Sequence, residues 1–274
     1  MRLHTTFRAG GEASVFVTPR SVQDLKKVLS LCVQYGVPYT VIGNGSNLLV
    51  SDKGYAGVVV CVRGTGTAGM MNSEIASRLR DAGLSGFEFA AGIPGTLGGA
   101  LIMNAGAYGG EMKDIVTRVD ALHVLTNGTV EEVSFTAEEM RFGYRTSRLK
   151  GDPSYCVTGA SLHLTPDDPE TIGARMKELA EKRREKQPLE FPSAGSTFKR
   201  PEGFFAGALI EDAGCKGLCI GDAQISEKHA GFLINRGNAT AGEIYQLMCE
   251  VQRRVLAHSG VTLEPEVLLL GDFS

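Results

Sequence analysis

The spacing of apolar positions divides the chain into short stretches that alternate between helix and strand periods. Residues 21–36, SVQDLKKVLSLCVQYG, put Val22, Leu25, Val28, Leu29, Cys32 and Val33 on one helical face. Ser21 and Asp24 stand at capping-box spacing at the start of that run, and Gly36 ends it. ASVFVTP before this helix and YTVIG after it read as strands, and GVVVCV at 57–62 as a third, so the first 62 residues form a small α/β lobe. A helix over SEIASRLRDAG follows, then a glycine-dense passage over 83–110. DIVTRVDALHVLTNGTVEEVSF alternates on both sides of Asn127-Gly128 and predicts a β-hairpin turning there; SYCVTGASLHL at 154–164 predicts a further strand. Pro169 opens a long polar helix that runs to about Lys186, with Pro188 as its stop. The remainder predicts a helix near 205–213, a strand HAGFLINRG, a helix from Thr240 to about His258 capped by Thr240 and Glu243, and a closing strand TLEPEVLLLG.

Composition narrows the classes. The 274 residues, 43% of them hydrophobic, are enough for one large core or two to three lobes, and no repeat, low-complexity tract or long linker separates them. Acidic residues number 31 against 28 basic ones, so no global positive field draws nucleic acid or an anionic membrane, and any anion must be bound locally. The six cysteines form no CxxC pair and no zinc spacing with histidine; they read as free thiols in a reducing cytoplasm, and no metal is expected. MRLHTTFRAGG has no apolar signal region, and no apolar run approaches the roughly 20 residues that cross a bilayer. The expectation is a soluble cytoplasmic protein.

Two glycine stretches look built to hold phosphate. In VIGNGSNLLVSD (41–52), Gly43, Asn44, Gly45, Ser46, Asn47 and Leu48 offer successive backbone N–H groups after a strand. The stretch is no Rossmann fingerprint, because Leu48 stands where a third glycine belongs, and no P-loop, because Gly-Lys-Ser/Thr is missing. Taken alone it is also an ordinary turn composition. The second stretch, AAGIPGTLGGALIMNAGAYGGEM (90–112), sets Gly92, Ile93, Pro94, Gly95, Gly98, Gly99, Asn104, Gly106 and Ala107 among apolar neighbours, as suits a backbone laid against a long ligand. Two such cradles suggest a ligand with two ends, such as a dinucleotide.

In order along the chain, TTFRAGG, VIGNGSNLLVSD, GLSGFEFAAGIPGTLGGALIMNAGAYGGEM, FGYRTS, SAGSTFKRP, ISEKHAGFLIN and LEPEV closely resemble the UDP-N-acetylenolpyruvoylglucosamine reductase (MurB) family of peptidoglycan synthesis, over nearly the whole length. The resemblance implies an α+β architecture with an FAD-binding fold of the vanillyl-alcohol-oxidase (PCMH) type. It places a first FAD lobe at 1–62, joined by a C-terminal strand at about 263–274, a second FAD lobe at 63–165, and a UDP-sugar lobe at 166–262. It implies an NADPH-dependent flavoenzyme that reduces UDP-N-acetylglucosamine enolpyruvate to UDP-N-acetylmuramate in the bacterial cytoplasm, as a monomer. The FAD is expected to be noncovalent, since neither 41–52 nor 90–112 contains histidine or cysteine. There is no room between FGYRTS and the strand at 154 for the substrate-capping loop of one branch of the family, so the chain resembles the shorter, second type. VVVCVRGTGTAGMMNSEIAS is shorter than the family's usual strand-turn-strand, as though a hairpin were trimmed between about Val62 and Ala68.

The same resemblance assigns site residues. Ser196 in SAGS matches the proton donor, a role open to a hydroxyl because an incipient carbanion is a strong base. Arg145 in FGYR matches the arginine that meets the substrate carboxylate, and Glu266 in LEPEV the active-site glutamate. Arg183 and Lys186 match the helix that contacts the diphosphate, Lys199 and Arg200, which flank the serine, are expected to bind the substrate with them at the diphosphate, and His229 aligns with a substrate-side position. Without the family, Ser196 reads as a turn serine, Arg145 as a surface arginine, Glu266 as an edge-strand residue, KRREK as a solvated helix end and His229 as a structural histidine. Two other functions fit the same fold: a flavin oxidase using oxygen, and a nucleotide-sugar binding protein without redox chemistry.

Overall fold

In the computed structural model, which describes residues 1–274, strand β1 (Ala13–Val17) leads into helix α1 (Val22–Gln34). The Ser21 hydroxyl accepts from the Asp24 N–H at 3.0 Å and so closes the helix N-terminus, while Leu25, Leu29 and Cys32 form the buried stripe. Strands β2 (Tyr39–Ile42), β3 (Leu48–Val50) and β4 (Tyr55–Cys61) follow. β2 and β4 pair in parallel, Tyr39 opposite Val58 and Ile42 opposite Cys61, and β1 lies on the other side of β4. The shortened segment after β4 closes on its own backbone. The Gly64 N–H donates to the Gly69 carbonyl at 2.9 Å, and the buried Thr65 hydroxyl donates to the Pro19 carbonyl at 2.6 Å.

Helix α2 (Asn72–Asp81) and strand β5 (Leu84–Ser85) precede the glycine passage, which folds into helix α3 (Leu97–Ile102) and a two-residue hairpin, β6 (Gly106–Ala107) with β7 (Gly110–Glu111). The expected hairpin is β8 (Val116–Val124) with β9 (Val130–Thr136), in register from Arg118 opposite Thr136 to Val124 opposite Val130; Gly128 takes the left-handed turn position at φ +83°. β10 (Tyr155–Leu162) pairs on the other edge of β8, β11 (Thr165–Pro166) pairs with β5, and helix α4 (Pro169–Lys186) has the expected bounds.

The last ninety residues hold a four-stranded sheet in the order β12 (Ser193–Ser196), β15 (Phe232–Asn235), β14 (Ala223–Ile225), β13 (Cys219–Ile220), with helices α5 (Ala206–Asp212) and α6 (Ala241–Ser259). Helix α6 has its Thr240/Glu243 capping box, and Asp52 accepts from the Ala241 and Gly242 N–H groups at 2.9 and 2.7 Å. The closing strand is shorter than its apolar pattern predicts. Only Leu268–Leu270 (β16) forms a ladder, parallel to β3, because Pro265 has no N–H to donate and makes an isolated bridge to Phe198 instead.

Contacts divide the chain into two compact units. The first comprises Met1–Ser14, Gly45–Ala56 and Arg184–Ser274, the second Val15–Asn44 and Gly57–Arg183. This grouping is coarser than the three expected lobes, and it joins 1–14 and 45–56 to the C-terminal residues. Phe7, Leu49, Phe198, Ile210, Leu233 and Leu247 are buried in the core of the first unit. The second has two cores, one around Phe87, Leu101, Met112 and Val119, the other around Leu25, Leu29, Val60 and Leu122. No helix is long and apolar enough to cross a membrane.

Candidate active site

Within the first unit, Ser196 ends strand β12 at an irregularity. Ser193 lies opposite Ile234 and Ser196 opposite Phe232, and the extra residue is absorbed at Gly195, whose φ of +78° favours glycine. The slip leaves Ser196 exposed between buried Ala194 and Thr197. Thr197 fastens this point on three sides. Its N–H donates to the Gly231 carbonyl at 2.9 Å, its hydroxyl accepts from the Leu233 N–H at 3.0 Å, and its carbonyl accepts from the Glu266 N–H at 2.9 Å. The Lys199 N–H donates to the Glu264 carbonyl at 2.8 Å, so 197–199 and 264–266 run side by side and bring Ser196 and Glu266 into neighbouring segments.

The cations of this unit are partly engaged with their own chain. Lys199 is ion-paired with Glu264. The Arg200 guanidinium lies 3.9 Å from the centre of the Phe205 ring, and its Nε donates to the Phe204 carbonyl at 3.1 Å. Lys186 is exposed at the end of α4. His229 accepts from the Gly231 N–H on Nδ1 at 3.0 Å and packs edge-on against Phe232; burial pushes its imidazole below the usual range. Two residues of the 43–48 loop have local duties. A Cβ on Gly45, at φ +61°, would lie 2.1 Å from the His4 carbonyl oxygen, and the Asn47 amide donates to the Glu266 carbonyl at 2.9 Å. Leu48 opens β3 and is buried, while Ser46 sits at the turn before it.

The second unit carries the rest. A Cβ on Gly43 would lie 2.2 Å from the Thr96 hydroxyl, and Asn44 accepts from Arg63 at 3.3 Å. The glycine passage divides by purpose. A Cβ on Gly98 would sit tightly, 3.3 Å from Ala68, to whose carbonyl the Gly98 N–H donates at 2.8 Å, and one on Gly106 would lie 2.6 Å from the Glu111 Cγ. The Gly95 carbonyl accepts from the Asn72 N–H, Ile93 and Ala107 are half-buried, and Gly92, Pro94 and Gly99 are exposed. The Arg183 guanidinium lies over Gly92, where Nη1 is 3.1 Å from the position of an added Cβ, and burial lowers its pKa. Arg145 stands in the left-handed region at φ +53°, and its Nη2 donates to the Gly106 carbonyl at 3.3 Å. Asn104 is fully buried, and both of its amide hydrogens are taken by protein acceptors, Glu111 and the Gly143 carbonyl, which leaves no donor for a cofactor. Its partners lie 7 and 39 positions away, so no local spacing announces them.

The residues of the second unit fit part of a dinucleotide. The Thr96 hydroxyl, beside Gly43, is buried without a hydrogen-bond partner. A buried donor of this kind costs stability unless a polar ligand atom meets it. The exposed backbone at Gly92, Pro94 and Gly99 is open to a ligand laid along the passage.

Two family models match the chain. The family model described as an FAD binding domain matches residues 13–134, and that described as the C-terminal domain of UDP-N-acetylenolpyruvoylglucosamine reductase matches residues 187–270. The curated UDP-N-acetylenolpyruvoylglucosamine reductase of Agathobacter rectalis is 45% identical over 297 aligned positions, covering 100% of this chain and 93% of that one. The enzyme of the same name from Clostridioides difficile is 46% identical, over 99% of this chain and 92% of that one. Among solved structures, the UDP-N-acetylenolpyruvylglucosamine reductase of Thermus caldophilus superposes with a TM-score of 0.82 at 36% identity, covering 98% of this chain and 97% of that one.

Proposed function

The chain belongs to the UDP-N-acetylenolpyruvoylglucosamine reductase family, and from that premise we propose that it reduces UDP-N-acetylglucosamine enolpyruvate to UDP-N-acetylmuramate with NADPH in the cytoplasm. The observation that carries the proposal is the retention of SAGS, FGYR and LEPE in a chain aligned end to end with a family reductase at 45% identity. Only residues 148–154 separate FGYRTS from strand β10, which supports the shorter branch of the family.

Residues of 43–48 and 90–107 would hold FAD noncovalently, and the bound flavin would supply hydride transfer between NADPH and the enolpyruvyl group. The protein's own groups deal with the charge that results. Adding hydride to one carbon of the enol ether leaves negative charge on its neighbour, next to a carboxylate. Arg145 meets that carboxylate with a planar guanidinium and stabilises the developing charge. Ser196, exposed at the end of β12, gives its hydroxyl proton to the carbanion. Glu266, on the segment hydrogen-bonded to Thr197, orients the serine or assists its reprotonation. Arg183 and Lys186 hold the diphosphate; Lys199 and Arg200, already engaged with Glu264 and Phe205, shape the surroundings of the serine. His229, neutral and bound to the Gly231 N–H, supports the sugar side through its backbone neighbours.

The test is anaerobic turnover by the purified yellow protein. The account expects NADPH oxidation beyond one equivalent per flavin only when the enolpyruvyl substrate is added, and a product two hydrogens heavier than that substrate. Peroxide formation in air without the substrate would instead mark an oxidase, and a colourless protein that binds the nucleotide sugar without turnover would mark a binding module.

A further inference from the structure

The FGYRTS turn, residues 142–147, does not stand by itself. Gly143 and Thr146 exchange backbone hydrogen bonds at 3.0 and 3.3 Å, and between them Arg145 is held at φ +53°, a conformation that side chains with a Cβ rarely adopt. A two-bond turn with an unfavourable residue at its tip needs outside support to keep one geometry. The support comes from the segment that ends helix α3.

We propose that Asn104 is a positioning residue for Arg145, tying the turn that carries it to the end of α3; the inference rests on the reading of Arg145 given above. Asn104 is completely buried. The Lys113 N–H donates to its Oδ1 at 2.9 Å, which fixes which way the amide points. Its two amide hydrogens then go to Glu111 Oε2 at 3.0 Å and to the Gly143 carbonyl at 2.9 Å, two residues before Arg145. Glu111 is itself anchored by Lys113 at 2.8 Å and lies opposite Gly106, the residue whose carbonyl accepts from the Arg145 guanidinium. Asn104 thus fixes the backbone of the turn and, through Glu111, the strand pair against which the guanidinium rests.

Two further contacts act in the same sense. The Ser147 hydroxyl donates to the carbonyl of Ile102, the last residue of α3, at 2.8 Å, and Lys150 donates to the Arg145 carbonyl at 2.9 Å. The residue type at 104 follows from chemistry. Asparagine has two donors and an acceptor and tolerates its φ of +43°. Aspartate would lose both donors and set a carboxylate against Glu111.

The test is a double-mutant cycle. Asn104→Gly keeps the left-handed backbone and removes only the tie. FAD content and reduction by NADPH should stay at wild-type values, while flavin reoxidation by the enolpyruvyl substrate slows roughly 10- to 100-fold, the size of a misplacement of the order of an ångström. In an Arg145→Lys background the same change should add less than about 2-fold, because it acts through the arginine already lost. In the cofactor-free protein, hydrogen exchange at the Gly143 and Thr146 amides should accelerate. Ser147→Ala, which leaves the buried amide untouched, should show the same pattern more weakly and serves if Asn104→Gly does not fold. Equal slowing in both backgrounds, or loss of FAD binding as the main defect, would overturn the proposal. Wild-type reoxidation in Arg145→Lys alone would show that the underlying role of Arg145 is wrong.

Discussion

The side-chain amide of Asn47 donates to the Glu266 carbonyl at 2.9 Å, and the Leu268 N–H returns to the Asn47 carbonyl at 3.0 Å. A residue read from its sequence as part of a phosphate-holding loop therefore also sets the backbone of the segment that bears the candidate glutamate. Asn47→Ala leaves that carbonyl without its donor and should cost about 1 kcal/mol. Urea unfolding of the cofactor-free protein checks it: the midpoint falls with the slope unchanged. An unaltered midpoint would mean that the bond contributes nothing to holding the segment.

Arg183 and Gly92 give a second prediction. An added Cβ at Gly92 would press on Nη1 of Arg183 at 3.1 Å, the far end of a flexible side chain, so Gly92→Ala should move the guanidinium without unfolding the protein. Arg183→Ala should raise KM for the UDP-sugar roughly 10-fold, as expected for one lost charge-assisted hydrogen bond, and Gly92→Ala should raise it less. Because a diphosphate contact remote from the reacting carbon is similar in ground and transition states, kcat should change little in either variant. Steady-state kinetics decide. A fall in kcat at constant KM would remove Arg183 from the diphosphate.

His229 sets a pH dependence. Burial holds its folded-state pKa below the ordinary value of about 6.5, and its Nδ1 must stay unprotonated to accept from Gly231. As pH falls through about 6.5, the unfolded chain takes up the proton before the folded one does. Stability is therefore full above that pH and declines below it, on down through the lowered folded value. The Tm of the cofactor-free protein should fall more steeply from pH 7 to pH 5 in the wild type than in His229→Asn. A wild-type Tm that rose on acidification would contradict the assigned sign.

Local signals predicted local structure well. The Ser21 and Thr240 caps, the Asn127-Gly128 hairpin and the proline-opened helix α4 all depend on residues within a few positions of one another, and all are present. The apolar alternation of the closing strand predicts a longer ladder than forms, because it hides the effect of Pro265. The glycines at 43, 45, 98 and 106 also lie close to Thr96, His4, Ala68 and Glu111, neighbours that only the folded chain supplies. The partners of Asn47 and Asn104 are illegible for the same reason, since an amide's partner 39 or 219 positions away leaves no mark on its surroundings in sequence.

The central claim, that Ser196 supplies the proton, is tested most directly by stopped-flow measurement of the two half-reactions in Ser196→Ala. FAD binding and flavin reduction by NADPH use no proton from this serine and should match the wild type. General acid catalysis is typically worth about 10²- to 10⁴-fold, so flavin reoxidation by the enolpyruvyl substrate should slow by at least the lower figure, and Ser196→Cys, which keeps a transferable proton, should slow less. Reoxidation at the wild-type rate in Ser196→Ala, or a loss of NADPH reduction in its place, would contradict the account.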